Sequence, residues 1–182
     1  MNQKILMPLL FALLLFSCDK HEHAAADNES HTHADTTAVY VSSDEGKEWN
    51  IHGVTITGKI LSEQSNGEYS VIITETPPQS GPPRHVHSHE DELFYVLKGT
   101  YEFYCGDEII EAKEGDFVRL PKGIPHGFIN TDTLPGITMN TITPGGFEGY
   151  FNEMAELASN NALSKPKIDS LAQKYGMKFI EK

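Results

Sequence analysis

Apolar residues recur along this chain with two different periods, and the change falls near residue 146. Upstream, short runs of β-branched and aromatic residues partly alternate with polar ones. Val54–Thr57 and Tyr69–Thr74 flank a Ser-Asn-Gly turn at Ser65, Asn66 and Gly67. Glu92–Leu97 closes on Gly99, Thr100–Cys105 on Gly106 and Asp107, and Phe117–Leu120 on Pro121. Gly127–Asn130 and Ile137–Ile142 complete the set, with further breaks at Pro77-Pro78 and Gly81-Pro82-Pro83. Runs of this length, bounded by glycine and proline, read as strands. Many of them at short spacing predict an all-β sandwich or barrel. After Pro144-Gly145-Gly146, Phe147, Tyr150, Phe151, Met154 and Leu157 follow the i, i+3, i+4, i+7 rule of an amphipathic helix. A second helical run, Ile168, Leu171, Ala172 and Tyr175, ends at Gly176, a natural C-cap. The aromatic stripe of the first helix is expected to pack on the outside of the barrel. No internal repeat is visible, so one barrel is expected.

The N-terminal third lacks this patterning. Lys4 precedes an apolar stretch, Ile5 to Phe16, shorter than the roughly 20 residues a bilayer span needs. It suits the apolar core of a secretory signal. It ends at Leu15-Phe16-Ser17-Cys18, which resembles the lipobox of bacterial lipoproteins, with Phe16 replacing the small residue usual at its place. Residues 1–17 are therefore expected to be a signal peptide, and Cys18 the lipidated residue of an exported, membrane-anchored protein. Residues 18–47 carry many acidic side chains and few large apolar ones, and read as a disordered tether. His21, His23, His31 and His33 lie in it. They are expected to be solvated, because a metal site needs preorganised ligands. The barrel is expected over 48–146 and its helical extension over 147–182.

Charge excludes one class of partner. With 14 Lys and Arg against 26 Asp and Glu, the formal net charge is -12, which disfavours nucleic acid. Two cysteines, Cys18 and Cys105, fall in unlike segments and make no disulfide framework.

The candidate chemistry lies in two short stretches. In His85-Val86-His87 the two imidazoles share one face of a strand. Glu92 leads an apolar row, Phe94 and Val96, on the inward face of the next strand. A carboxylate there needs a partner, and a metal ion shared with the histidines would supply it. His126 follows the rigid Gly123-Ile124-Pro125 turn. Glu90 and Asp91 are expected to be exposed, with Glu90 in reach of Arg84. His89 is expected to lie in a solvent-facing loop. His52 carries no motif.

These residues resemble the two motifs of the cupin superfamily. The first is a His-x-His pair, a Glu after three or four residues and a Gly six beyond; His85, His87, Glu92 and Gly99 stand at those spacings. The second is matched in full by Gly115, Pro121, Gly123, His126 and Asn130. One departure is Gln79, where the family often has Gly; Gly81 stands nearby. The stretches Asp91–Leu97 and Gly146–Phe151, with Lys174-Tyr175-Gly176, are similar to single-domain bacterial cupins described as similar to quercetin 2,3-dioxygenase.

The resemblance implies a double-stranded β-helix, a jelly-roll barrel with C-terminal helices packed outside. It implies a metal held by His85, His87, Glu92 and His126. Three imidazoles and a carboxylate suit one divalent transition metal ion: Fe, Mn, Ni, Cu, Co or Zn. The expected function is a dioxygenase-like oxidoreductase using O₂ on a small phenolic or enediol substrate, with Glu92 also a general base. Alternation alone offers Phe94, Val96, Phe103 and Met139 as pocket walls. A metal-stabilised module binding a sugar or phenolic ligand, and a metal-dependent isomerase or hydrolase, are the alternatives. A homodimer is compatible with the family.

Overall fold

A computed structural model describes residues 37–51 and 53–180. The expected signal segment, Cys18, His21, His23, His31, His33 and His52 lie outside the described residues. Eleven strands and two helices follow in order. They are β1 (Lys47–Ile51), β2 (Val54–Ile60), β3 (Ser70–Thr76), β4 (His85–His87), β5 (Asp91–Lys98), β6 (Thr100–Cys105), β7 (Glu108–Lys113), β8 (Phe117–Leu120), β9 (His126–Asn130), β10 (Gly136–Thr143), α1 (Glu148–Ser159), α2 (Lys165–Lys174) and β11 (Met177–Phe179).

The strands form two antiparallel sheets, ordered β1-β2-β3-β10-β5-β8 and β11-β4-β9-β6-β7. Facing sheets of this kind make a jelly-roll barrel. Strand β5 shows why: Glu92, Phe94 and Val96 are buried while Leu93 and Leu97 are exposed, so one face is internal. Two apolar clusters fill the interior. Phe94, Val96, Tyr101, Phe103, Ala112, Val118 and Leu120 pack one half between the sheets. The other half belongs jointly to the strands, through Trp49, Ile56, Ile72 and Ile142, and to the C-terminal segment, through Phe147, Tyr150, Phe151, Met154 and Leu171.

The C-terminal segment therefore does more than pack on an outer surface. Helix α1 is pinned by the buried Glu148 carboxylate, which accepts hydrogen bonds from the Ser62 amide (2.8 Å), the Ser62 and Ser70 hydroxyls and the Gly146 amide (2.9 Å). Strand β11, which the sequence pattern does not announce, pairs antiparallel with β4, Met177 opposite His87 and Phe179 opposite His85.

Two close approaches shape the barrel. A side chain at Gly81 would place its Cβ 1.9 Å from the Phe128 carbonyl oxygen of β9, so only glycine lets the loop before β4 lie against that strand. At Gly136 a Cβ would meet the Tyr101 hydroxyl at 2.4 Å. Asn130, the last residue of the second motif, is fully buried and serves the fold. Its amide donates to the carbonyls of Thr76 (3.0 Å) and Leu134 (2.9 Å), tying β9 to the end of β3 and to the loop before β10.

Candidate metal centre

Four side chains converge from both sheets. Strand β4 aims His85 and His87 inward, and Val86 between them faces the other way. His85 lies directly opposite His126 of β9, which brings their rings to 4.8 Å between centroids. Glu92 enters from β5 of the facing sheet. The ligand atoms of His85, His87, Glu92 and His126 all lie within 4.8 Å of one another, and all four residues are buried. Bonds of about 2.1 Å on either side of one ion nearly bridge that span.

The protonation states suit a metal. Burial holds the His85 imidazole at about 4, against the pull of Glu92. Its Nδ1 donates to the Pro83 carbonyl at 2.8 Å, which leaves Nε2 a free lone pair. Burial pushes the Glu92 carboxyl up, but the imidazoles of His126, His87 and His85 outweigh it and hold the group at about 2. At neutral pH His85 is thus neutral and Glu92 ionised, the forms that bind cations.

The decisive feature is what the cluster leaves unpaired. His126 is fully buried, yet neither ring nitrogen has a hydrogen-bond partner. Its Nε2 lies 3.3 Å from Glu92 Oε2 without hydrogen-bond alignment. Buried polar atoms are almost always satisfied. An ion between the imidazoles and the carboxylate would satisfy these atoms, so the donor set fits a metal ion.

Two residues outside the sequence motifs complete the centre. Asn140 on β10 donates through Nδ2 to Glu92 Oε1 at 2.8 Å, fixing the carboxylate so that Oε2 faces the imidazoles. Glu90, expected to be exposed, is buried instead, with Oε2 3.2 Å from His87 Nδ1. A carboxylate behind an imidazole favours the tautomer that offers Nε2, although these two atoms are not aligned for a hydrogen bond here. Arg84 turns away from it and donates to the Gly106 carbonyl. Glu90 sits in a loop with no periodicity, three residues from His87, so only contact reveals it. His89 is exposed, as expected, and Cys105 is half-buried.

The centre opens onto a cavity of about 750 Å³. Of the four expected wall residues, the structure brings Phe94 to it. Val96 and Phe103 face inward but lie in the apolar cluster of the other half. Met139 is a correction. Strand β10 buries Thr138, Asn140 and Ile142, and Met139 lies on the opposite face. Asn140 points inward to donate to Glu92, and with the buried Thr138 beside it this inverts the hydropathy alternation. The aromatic stripe of α1 is a second correction: Phe147, Tyr150 and Phe151 line the cavity, and Phe147 sets its ring edge-on against His87, 4.4 Å between centroids.

Comparison with known proteins agrees with this architecture. Residues 72–141 match the cupin domain family. Over 100 residues, 54% of this chain, the sequence is 26% identical to quercetin 2,3-dioxygenase of Bacillus subtilis (strain 168). That stretch covers 29% of the relative, so the chain spans under a third of its length. Among solved structures, KdgF from Halomonas sp. superposes with a TM-score of 0.56 at 15% identity, over 62% of this chain and 99% of that one. A predicted oxalate decarboxylase from Thermotoga maritima gives a TM-score of 0.55 at 22% identity, over 58% and 99%. These likenesses establish the fold as a cupin jelly roll.

Proposed function

We propose that this cupin barrel is a metal-dependent, dioxygenase-like oxidoreductase acting on a small, flat phenolic or enediol compound at the cell envelope. The cavity carries this reading. At about 750 Å³ it has the size of a small-molecule site. Its walls are mainly aliphatic and aromatic, and it ends on His85, His87 and Glu92. A sugar would leave most of its hydroxyls unpaired against such walls, at a few kcal/mol each. A planar aromatic would bury its rings and present its polar edge to the metal centre. The partial identity to a quercetin 2,3-dioxygenase supports the same choice.

A divalent transition metal ion held by His85, His87, Glu92 and His126 would supply Lewis acidity and, if redox-active, electron exchange with O₂. The chain's own groups do the rest. Pro83 orients His85 through its Nδ1, and the Glu90 carboxylate lies 3.2 Å behind His87 Nδ1. Asn140 holds Glu92 Oε1 and so sets how Oε2 faces the imidazoles; a Glu92 carboxylate released from the ion would take the proton of a substrate hydroxyl. Phe147 and Phe151 exclude water from the cavity end that meets the imidazoles.

The test loads the full chain, in detergent, with each of Fe, Mn, Ni, Co, Cu and Zn. Oxygen uptake is then followed with flavonols, catechols and enediols. Uptake matched to substrate loss supports the oxygenase. Turnover under argon would replace it with an isomerase or hydrolase, and binding without turnover under every metal would leave a binding module. The envelope location rests on the lipobox-like Cys18. Radiolabelled palmitate should mark the wild type and not Cys18→Ser, and an unlabelled wild type would overturn it.

A further inference from the structure

The family match ends at residue 141, but the cavity does not. Beyond Ile51, Val54 and Ile56 of the first strands, its remaining wall comes from the segment after β10, chiefly Phe147, Tyr150 and Phe151 of the α1 region, Ile168 of α2, and Met177 and Phe179 of β11. This wall is joined to the metal centre, because β11 is hydrogen-bonded to the strand bearing His85 and His87. Most of the wall is hydrocarbon. Its polar groups are Lys165 and Asp169, exposed and paired with each other at 2.7 Å, and Tyr150. Tyr150 is 6% exposed, yet its hydroxyl makes no hydrogen bond among the described residues and is not sealed away from open space. Its ring is fixed, stacked on Phe147 at 5.2 Å and edge-on to Phe151 and Tyr175. Burial pushes the phenol up to about 12, so the oxygen keeps its proton and remains a donor.

We propose that the C-terminal segment is the substrate-recognition wall of this cavity and that Tyr150 is its specificity-determining residue. It donates a hydrogen bond to a carbonyl or ether oxygen on a flat aromatic ligand whose hydroxylated edge meets the metal centre. The inference rests on the reading of the cavity as a substrate site. It narrows the ligand class to aromatics carrying an acceptor away from the metal-binding edge, because a lone buried donor rewards one acceptor and penalises its absence.

The experiment is isothermal titration calorimetry on the full chain under argon, so that binding is read without turnover. Two probes are compared: quercetin, with a hydroxylated edge and further acceptors, and naphthalene-2,3-diol, with the edge alone. Tyr150→Phe removes only the hydroxyl. It should weaken quercetin about three- to tenfold, the worth of one hydrogen bond, and leave naphthalenediol unchanged. Ile168→Trp, which fills the wall side of the cavity, should weaken both probes at least tenfold with metal content unchanged. Equal loss of both probes in Tyr150→Phe, or no loss of quercetin, would overturn the role of Tyr150. Unchanged binding in Ile168→Trp would overturn the wall. A wild type that binds neither probe would instead sink the reading of the cavity itself.

Discussion

Replacing Glu148 with Ala should release helix α1 from the barrel, and the structure lets the size of the effect be worked out. The carboxylate is 7% exposed and accepts from two amides and two hydroxyls. Hydrogen bonds to a charged group contribute about 1.5–3 kcal/mol each. The Ser62 donors are half-buried and regain water once the carboxylate is gone. The Ser70 hydroxyl is fully buried and does not. One orphaned buried donor plus a lost helix anchor gives a destabilisation of about 3 kcal/mol, and Glu148→Gln about half of it. The natural reporter is Trp49, the only tryptophan, whose ring lies 5.6 Å from Phe151 and whose N–H donates to Asn152 of α1 at 2.9 Å. Urea unfolding followed by its fluorescence and by far-UV circular dichroism gives the midpoints. The pH dependence has a definite sign. Burial works to raise the Glu148 carboxyl, but hydrogen bonds from Ser62, Ser70 and the backbone hold it below its ordinary 4.5. Its contribution is complete above that value and fades as pH falls through the folded-state value. The gap between wild type and Glu148→Gln should therefore be constant from pH 7 to 5 and shrink below about 4.5. A gap under about 0.5 kcal/mol, or one that does not change down to pH 3, would refute the anchoring role.

Three further outcomes follow from the centre and its approach. His126→Ala removes a fully buried ligand, so elemental mass spectrometry should find the barrel metal lost, and full occupancy would exclude His126 from the ligand set. Glu90→Gln should weaken metal affinity about tenfold in chelator competition, within the range of residues that orient a ligand, and shift the visible bands of a Co(II)-loaded protein; unchanged bands and affinity would make Glu90 a bystander. Gly81→Ala forces the loop away from the Phe128 carbonyl and should lower stability by about 2 kcal/mol or more, while Gly115→Ala, whose added Cβ meets nothing within 4 Å, carries only the strain of its positive φ; equal thermal midpoints for wild type and Gly81→Ala would deny the close approach.

His85, His87 and Glu92 were readable because their geometry is local, whereas His126 came from the resemblance to the second cupin motif. Two histidines two apart on a strand share a face whatever the fold, and Glu92 leads the same parity as Phe94 and Val96. Alternation gives the face of a strand but not the height along the barrel. Val96 and Phe103 accordingly face inward yet sit in the packed half rather than at the cavity. It fails outright on β10, where Thr138 and Asn140 occupy the inner face. Strand β7 was missed because Glu108 and Glu111 flank Ile109 and Ile110 on an edge whose outer positions meet water. Three residues, Met177–Phe179, carry no period at all. Glu90 and the aromatic wall depend on long-range contacts that no local pattern encodes.

The last strand of the chain bears on the candidate metal centre. Strand β4 meets β9 at a single residue pair, His85 opposite His126, and its other edge is covered over its whole length by β11. The histidine pair thus lies about ninety residues ahead of the strand that covers it. Without β11 it would belong to a three-residue strand with one flank open. The candidate centre is therefore complete only once the C-terminal strand has closed over β4, which makes an intact C-terminus a condition of metal retention.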